Sequence, residues 1–328
     1  MNATTTARRS WQFAVIAGVS ILLFLALWIT PLRAQFAGGG GTTGIALNVA
    51  DWVPARDETY GGWGVVAAGA SIETPLHWTE DAPSLKLPPG SYDVYWVQDY
   101  DTRDRPVLLA QHVTVEADRL TTVDVDSGVR IEVAAWVPPR DETYGWWGAA
   151  NAGSIGADEP VTSDQMVNWT KSADALLLPP GDYDVYWVQD YDTRDTPIQL
   201  ASRLRVPAGA IETVEAKTGV RLDVAEWVPA RDPDYGWWGA VRAGDPPAKR
   251  VNWSKSADAL LLPAGVYDIY WVQNYAVLNA PLLLARRLQV GAGGVGIDIA
   301  LSEGAVRVVT PIAGGPAARA GIQTGDII

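Results

Sequence analysis

The chain has no cysteine and only two histidines, His77 and His112, among 328 residues. The first absence removes disulfides, thiolate nucleophiles and cysteine-based zinc sites together. The second leaves no basis for a Ser-His-Asp triad or a histidine-rich metal site, because both histidines sit in one segment and are missing from the equivalent places of its copies. Positive charge is scarce as well: 25 Lys and Arg against 38 Asp and Glu give a net charge of −13. Such a chain repels phosphate backbones, so no nucleic-acid partner is expected. The many carboxylates include no pair that stands out as an acid and a nucleophile. The residues present therefore read as non-enzymatic, with no cofactor.

What the chain does have is tryptophan, and most of it recurs in a pattern. Fourteen of its 16 tryptophans fall in three near-copies of one unit. The signature Trp-Val-Pro-x-Arg-Asp opens at Trp52, Trp136 and Trp227, each time followed by Tyr-Gly-x-Trp-Gly from Tyr60, Tyr144 and Tyr235. A second block, Tyr-Asp-Val/Ile-Tyr-Trp-Val-Gln, begins at Tyr92, Tyr183 and Tyr267. The copies are offset by 84 and 91 residues, longer than the roughly 20–50 residues of a solenoid repeat and right for small tandem domains.

Ahead of the repeats, residues 1–34 read as an export signal: Arg8 and Arg9, an apolar run from Trp11 to Ile29, Pro31, and a small residue at Ala34 before Gln35. The run at 11–29 is also long enough to stay as a membrane anchor. Both alternatives place the repeats outside the cytoplasmic membrane, in the periplasm or cell envelope, with the membrane touched only by this segment. A glycine-rich linker, 35–43, follows. The units are expected at 44–126, 128–216 and 219–291, with a distinct C-terminal segment at 295–328.

Within a unit the apolar pattern has a period of two, as in Ile131, Val133 and Ala135, and no 3.6-residue period lasts three turns. Short strand-like runs bounded by Pro, Gly or Asp recur about seven times per unit, which predicts an all-β fold of three tandem β-sandwich domains. The segments Leu87–Val94, Leu178–Val185 and Leu262–Ile269 resemble the turn and strand of prealbumin-like modules such as carboxypeptidase regulatory-like domains. That resemblance implies a sandwich and leaves the ligand open.

Alternation assigns the tryptophans. Trp96, Trp187 and Trp271 share a strand face with Tyr and Val and are expected inside, as are Trp63, Trp147 and Trp238. Trp146 and Trp237 directly precede two of the latter, so they point outward and become platforms for a sugar ring or an apolar partner group, or else pack on a neighbouring unit. Trp169 and Trp253, in polar Asn-Trp-Thr/Ser contexts, are further candidates. The acidic loops Asp99, Asp101, Asp104 and Asp190, Asp192, Asp195 gather three carboxylates in six residues. They read either as a calcium loop or as a hairpin with internal ion pairs. The pairs Arg56-Asp57, Arg140-Asp141 and Arg231-Asp232 read as structural.

The run Gly315-Pro-Ala-Ala-Arg-Ala-Gly-Ile-Gln-Thr-Gly-Asp-Ile-Ile328 resembles the first half of a bacterial PDZ domain, of the kind in carboxyl-terminal processing and HtrA-type peptidases. The resemblance implies that Gly296, Ile297, Asp298 and Ile299 form a loop that captures a peptide's terminal carboxylate, with Asp298 replacing the usual second glycine. The chain ends at Ile328, where a PDZ domain would continue, so 295–328 reads as a fragment. The leading expectation is an exported, non-catalytic binding and spacer protein for a protein or peptide partner. The alternatives are a non-catalytic portion of a periplasmic serine peptidase and a glycan-binding array.

Overall fold

The computed structural model describes residues 42–72, 77–156, 159–291, 297–302, 305–311 and 322–326. The expected export signal and most of the linker lie outside them. Among the described residues no helix is long and apolar enough to cross a membrane, and regular structure is all β apart from two 3-10 turns.

The first repeat runs β1 (Gly44–Val49), β2 (Gly62–Ala67), β3 (His77–Thr79), β4 (Ser84–Lys86), β5 (Gly90–Val97), β6 (Val107–Val115) and β7 (Leu120–Val125). The second runs β8 (Gly128–Val133), β9 (Trp146–Asn151), β10 (Asn168–Thr170), β11 (Ala175–Leu177), β12 (Gly181–Val188), β13 (Ile198–Val206) and β14 (Ile211–Ala216). The third runs β15 (Gly219–Val224), β16 (Trp237–Arg242), β17 (Arg250–Ser254), β18 (Ala259–Leu261), β19 (Gly265–Val272), β20 (Leu282–Val290) and β21 (Ile297–Ser302), and β22 (Ala305–Pro311) follows it.

Each repeat pairs a four-stranded antiparallel sheet, ordered β3-β2-β5-β6 in the first, with a smaller sheet, β4-β1-β7, over one apolar core. The first and last strands of a repeat lie side by side and parallel: β1 with β7, β8 with β14, β15 with β21. In the third repeat β22 extends the smaller sheet beyond β21. This corrects the expected boundary of the third unit at Gly291, because its closing strand is Ile297–Ser302. It also corrects the carboxylate-loop assignment. Asp298 and Ile299 are extended backbone with β15 on one side and β22 on the other, so neither of their edges is open to a peptide, and Ile297 pairs with β22. Gly296 lies outside the described residues.

The cores follow the alternation. Trp63, Trp147 and Trp238 are fully buried, and each indole N–H donates to a backbone carbonyl, of Ala82, Ala173 and Ala257, at 2.7–2.8 Å. At about 25 cal/mol per Å2, burying such a ring contributes roughly 4–6 kcal/mol of transfer free energy. A buried aspartate pins the large sheet. Asp184 accepts from the amides of Arg203 (2.8 Å) and Gly153 (2.9 Å), both left-handed, with φ of 52° and 71°. Asp93 and Asp268 serve the equivalent amides of His112 and Gly69, and of Arg287 and Gly244. The carboxylate thus compensates a bulge where a side chain is forced into an unfavourable backbone region.

Successive repeats share material at their junctions. Leu177, from β11, is 2% exposed and belongs to the core of the first repeat; Leu261, from β18, is 1% exposed and joins the second. The Trp52 ring rests on the backbone of Gly128, where a Cβ would lie 2.4 Å from Cη2, and Trp136 meets Gly219 in the same way at 2.5 Å. Only glycine permits that approach. Lys171 pairs with Asp101 at 3.2 Å and Lys255 with Asp192 at 3.4 Å across the two junctions.

Two predictions follow from the cores. Asp184→Ala strands two buried backbone donors and is expected to cost about 2–4 kcal/mol, with Asp184→Asn costing less because one acceptor survives; urea denaturation followed by tryptophan fluorescence measures both. The buried Tyr183 hydroxyl, which donates to the Pro179 carbonyl, has its pKa pushed up to about 12, chiefly by burial and then by Asp182. Its folded pKa lies above the unfolded value near 10, so the stabilisation is complete below pH ~10 and is lost as pH rises toward ~12. The thermal midpoint of Tyr183→Phe should therefore fall less steeply over that interval than that of the parent chain.

Candidate functional site

The two sequence signatures meet at one end of each repeat and lock its loops. The arginine of the first signature lies over the tryptophan ring of the second, with Cζ-to-centroid distances of 4.8 Å for Arg56 on Trp96, 4.5 Å for Arg140 on Trp187 and 4.8 Å for Arg231 on Trp271. Burial lowers the pKa of all three guanidiniums, opposed by Asp81, Asp174 and Asp258. Arg56 Nη1 and Arg140 Nε have no hydrogen-bond partner, which leaves the ring faces as their compensation. Arg140 and Arg231 also donate to the carbonyls of Lys171 and Lys255.

The glutamine that ends the second signature closes the lock. Gln98, Gln189 and Gln273 each accept from the neighbouring indole N–H at 3.1 Å. Each donates to the carbonyls of Pro54 and Ala55, Pro138 and Pro139, or Pro229 and Ala230. Five residues from two distant stretches thereby hold one loop in place.

That loop presents a tyrosine. Asp57, Asp141 and Asp232 accept two backbone amides each, the second being that of Tyr60, Tyr144 and Tyr235. A second tyrosine comes from the loop after the second signature. Asp99 and Asp190 fold that loop by accepting the amide and hydroxyl of Thr102 and Thr193, and Asn274 does so by accepting the amide of Ala276. The result is one edge-to-face pair per repeat: Tyr60–Tyr100, Tyr144–Tyr191 and Tyr235–Tyr275, with centroids 4.9–5.0 Å apart. All six rings are 43–68% exposed, although large aromatics are usually covered. Arg103 and Arg194 stack on Tyr100 and Tyr191 at 3.9 and 3.5 Å; among the described residues no arginine stacks on the third pair.

The tryptophan platforms expected from alternation are closed. Trp146 is 8% and Trp237 6% exposed. Trp146 packs edge-on against Trp169, with Met166, Tyr186 and Val188 completing a second apolar cluster on the outer face of the sheet. Trp237 meets Trp253, and Arg250 lies 4.6 and 4.4 Å from the two ring centroids. Trp169 and Trp253 are half-buried as the lids of these clusters. Asn168 and Asn252, just before them, are buried and donate to the carbonyls of Leu177 and Leu261.

The calcium alternative is corrected likewise, because the carboxylates of each acidic loop diverge. Asp99 and Asp190 bond inside their own loop. Asp101 and Asp192 reach lysines of the next repeat. Asp104 and Asp195 pair with the adjacent Arg103 and Arg194 at 3.5 and 3.7 Å. Among the described residues no group of three acids or histidines converges on a metal position.

The tyrosine pairs escape a reading by sequence because their members lie 40 to 47 residues apart, on loops whose meeting depends on the lock. The available signal was their presence in all three copies, inside signatures whose other members are structural.

No family model and no curated protein matches the chain. Among solved structures it is similar to the TIE protein of Bacillus anthracis, at 12% identity and a TM-score of 0.16, over 70% of this chain and 45% of that one. The major pilin subunit BcpA of Bacillus cereus follows at 9% and 0.17, over 78% of this chain and 97% of that one. The pilus adhesin SpaC of Lactobacillus rhamnosus GG gives 10% and 0.17, over 81% and 42%. The chain thus spans less than half of the first and third of these proteins. At such TM-scores the likenesses carry no argument, and the architecture rests on the strand pairings themselves.

Proposed function

We propose that the chain is an exported, non-catalytic binding and spacer protein whose repeats display tyrosine pairs to a protein or peptide partner. The observation that carries this is the threefold recurrence of an exposed edge-to-face tyrosine pair on a loop held by a lock of a buried tryptophan with a half-buried arginine and glutamine. A rigid tyrosine offers a large amphipathic contact at low entropic cost, and aromatics of this kind dominate the energetics of protein interfaces. Presentation in three equivalent places supports avidity, so that a weak contact at each repeat sums to a useful affinity. The shared junction cores support the spacer role, because they fix the separation of the pairs. Export is supported by Arg8, Arg9 and the apolar run after them.

Glycan stacking loses its expected platforms with the closure of Trp146 and Trp237. The strand through Ile297 and Ile299 has no part in the proposed recognition. The scarcity of histidine and the absence of cysteine support a role without chemistry.

A random peptide library selected on the immobilised chain tests the proposal. Enriched peptides are expected to be apolar or proline-rich and to bind at least tenfold more weakly to a variant with all six tyrosines changed to Ala. That variant should keep its fold, since each exposed pair contributes only about 0.5–1.5 kcal/mol. Equal binding to parent and variant, or retention of oligosaccharides on a glycan array in place of peptides, would count against it.

A further inference from the structure

The end at which the chain leaves a repeat serves twice as an interface within the molecule. In the first and second repeats the rings of Trp52 and Trp136 rest on Gly128 and Gly219 of the repeat that follows, and Asp101 and Asp192 hold its lysines. The strand that starts at this end is covered too: Val107 is 1% and Ile198 2% exposed. The third repeat carries the same positions bare. Trp227 is 64% exposed, and so is 54% of Leu282, which pairs with Trp271 as Val107 does with Trp96 and Ile198 with Trp187. Gln273 ties the two loops of this end together through the carbonyls of Pro229 and Ala230.

This end has also lost its charge. No residue from Asn274 to Ala285 is charged, whereas the equivalent stretches from Asp99 and from Asp190 hold three acids each. Ala276 stands for Asp101 and Asp192, and Leu278 for Arg103 and Arg194. Val277, 39% exposed, stands for the buried Thr102 and Thr193. Exposed apolar groups gathered on one face mark a contact site, and the core of such a site is poor in charge. The net charge of −13 keeps two copies of the chain apart over most of their surface. A twofold contact sets one patch against itself, so it requires a patch without an excess of either sign. The stretch from Asn274 meets that requirement, and its counterparts in the first two repeats do not.

The head of the first repeat is no match for this face. It carries Lys86 where the internal junctions have the plugs Leu177 and Leu261, and Glu80 where they have Lys171 and Lys255; both replacements are exposed. A head-to-tail chain of copies would therefore lack the leucine and the lysine that make the internal joints. We infer that the bare end of the third repeat is a self-complementary interface on which a second copy of the chain docks tail to tail, with Trp227 and Leu282 at its centre. Tyr275 stays at the rim, since its counterparts Tyr100 and Tyr191 are each 52% exposed although the next repeat covers the adjoining face. The dimer goes beyond the recognition proposed above: it leaves the tyrosine pairs accessible and doubles their number in one particle, which raises avidity.

Light scattering of the full chain over a concentration series tests this. The parent is expected to reach twice the mass of one chain and stop there. The double variant Trp227→Ala, Leu282→Ala should raise the dimer's dissociation constant at least tenfold, and Glu80→Lys, at the head, should leave it unchanged. Both replaced side chains are more than half exposed, so the double variant keeps its fold. A parent that remains monomeric at about 1 mM overturns the inference, as does a dimer that the double variant leaves intact. Masses that keep growing beyond two chains overturn it as well, because they report a head-to-tail contact in place of a closed one.

Discussion

Parallel pairing of the first and last strands closes every repeat, and the rest of the architecture depends on it. A chain whose seventh strand runs beside its first, in the same direction, enters at one end of the sandwich and leaves at the other. The next repeat must then start where the previous one finishes. Only Asp126-Ser127 and Lys217-Thr218 separate a closing strand from the next opening strand, so there is no slack for a flexible joint. The loops at the exit end become the junction surface, and these are the loops that the arginine–tryptophan–glutamine lock holds.

The lock explains why so many residues recur. Arg, Trp, Gln and the two backbone carbonyls that accept from Gln form one connected set of partners, and removing Gln leaves the indole N–H and both carbonyls without it. The differences between copies carry the complementary information. Acid, lysine and leucine appear at internal junctions and are replaced at the chain's two outer ends by Ala276, Glu80 and Lys86. The repeats are therefore not interchangeable, and their order is written in side chains that meet only across a boundary.

Much of the fold is legible in the sequence, because period-two alternation reports which side chains share a sheet face. It identifies the strands and the inward positions of Trp63, Trp147, Trp187 and Tyr183. It does not report whether the outer face is covered afterwards. Trp146 and Trp237 do point away from the main core, and they are buried because Met166, Arg250 and the half-buried Trp169 and Trp253 fold over them. Partners distant in sequence are equally invisible to local pattern: Asp101 finds Lys171 70 residues on, and Tyr60 finds Tyr100. The closing strand Ile297–Ser302 is obscured because its residues read as part of the separate C-terminal segment 295–328, although the strand completes the third sheet.

The central claim is that adjacent repeats share cores, so that each is stabilised by its successor. Amide hydrogen exchange in Leu177→Ala tests it most directly. Leu177 belongs to the second repeat in sequence and to the first in packing. Faster exchange across Trp63–Val65 and Tyr92–Trp96 of the first repeat, matching or exceeding the change in the second, is the predicted result. Acceleration confined to residues 128–216 would contradict it and reduce the array to independent domains.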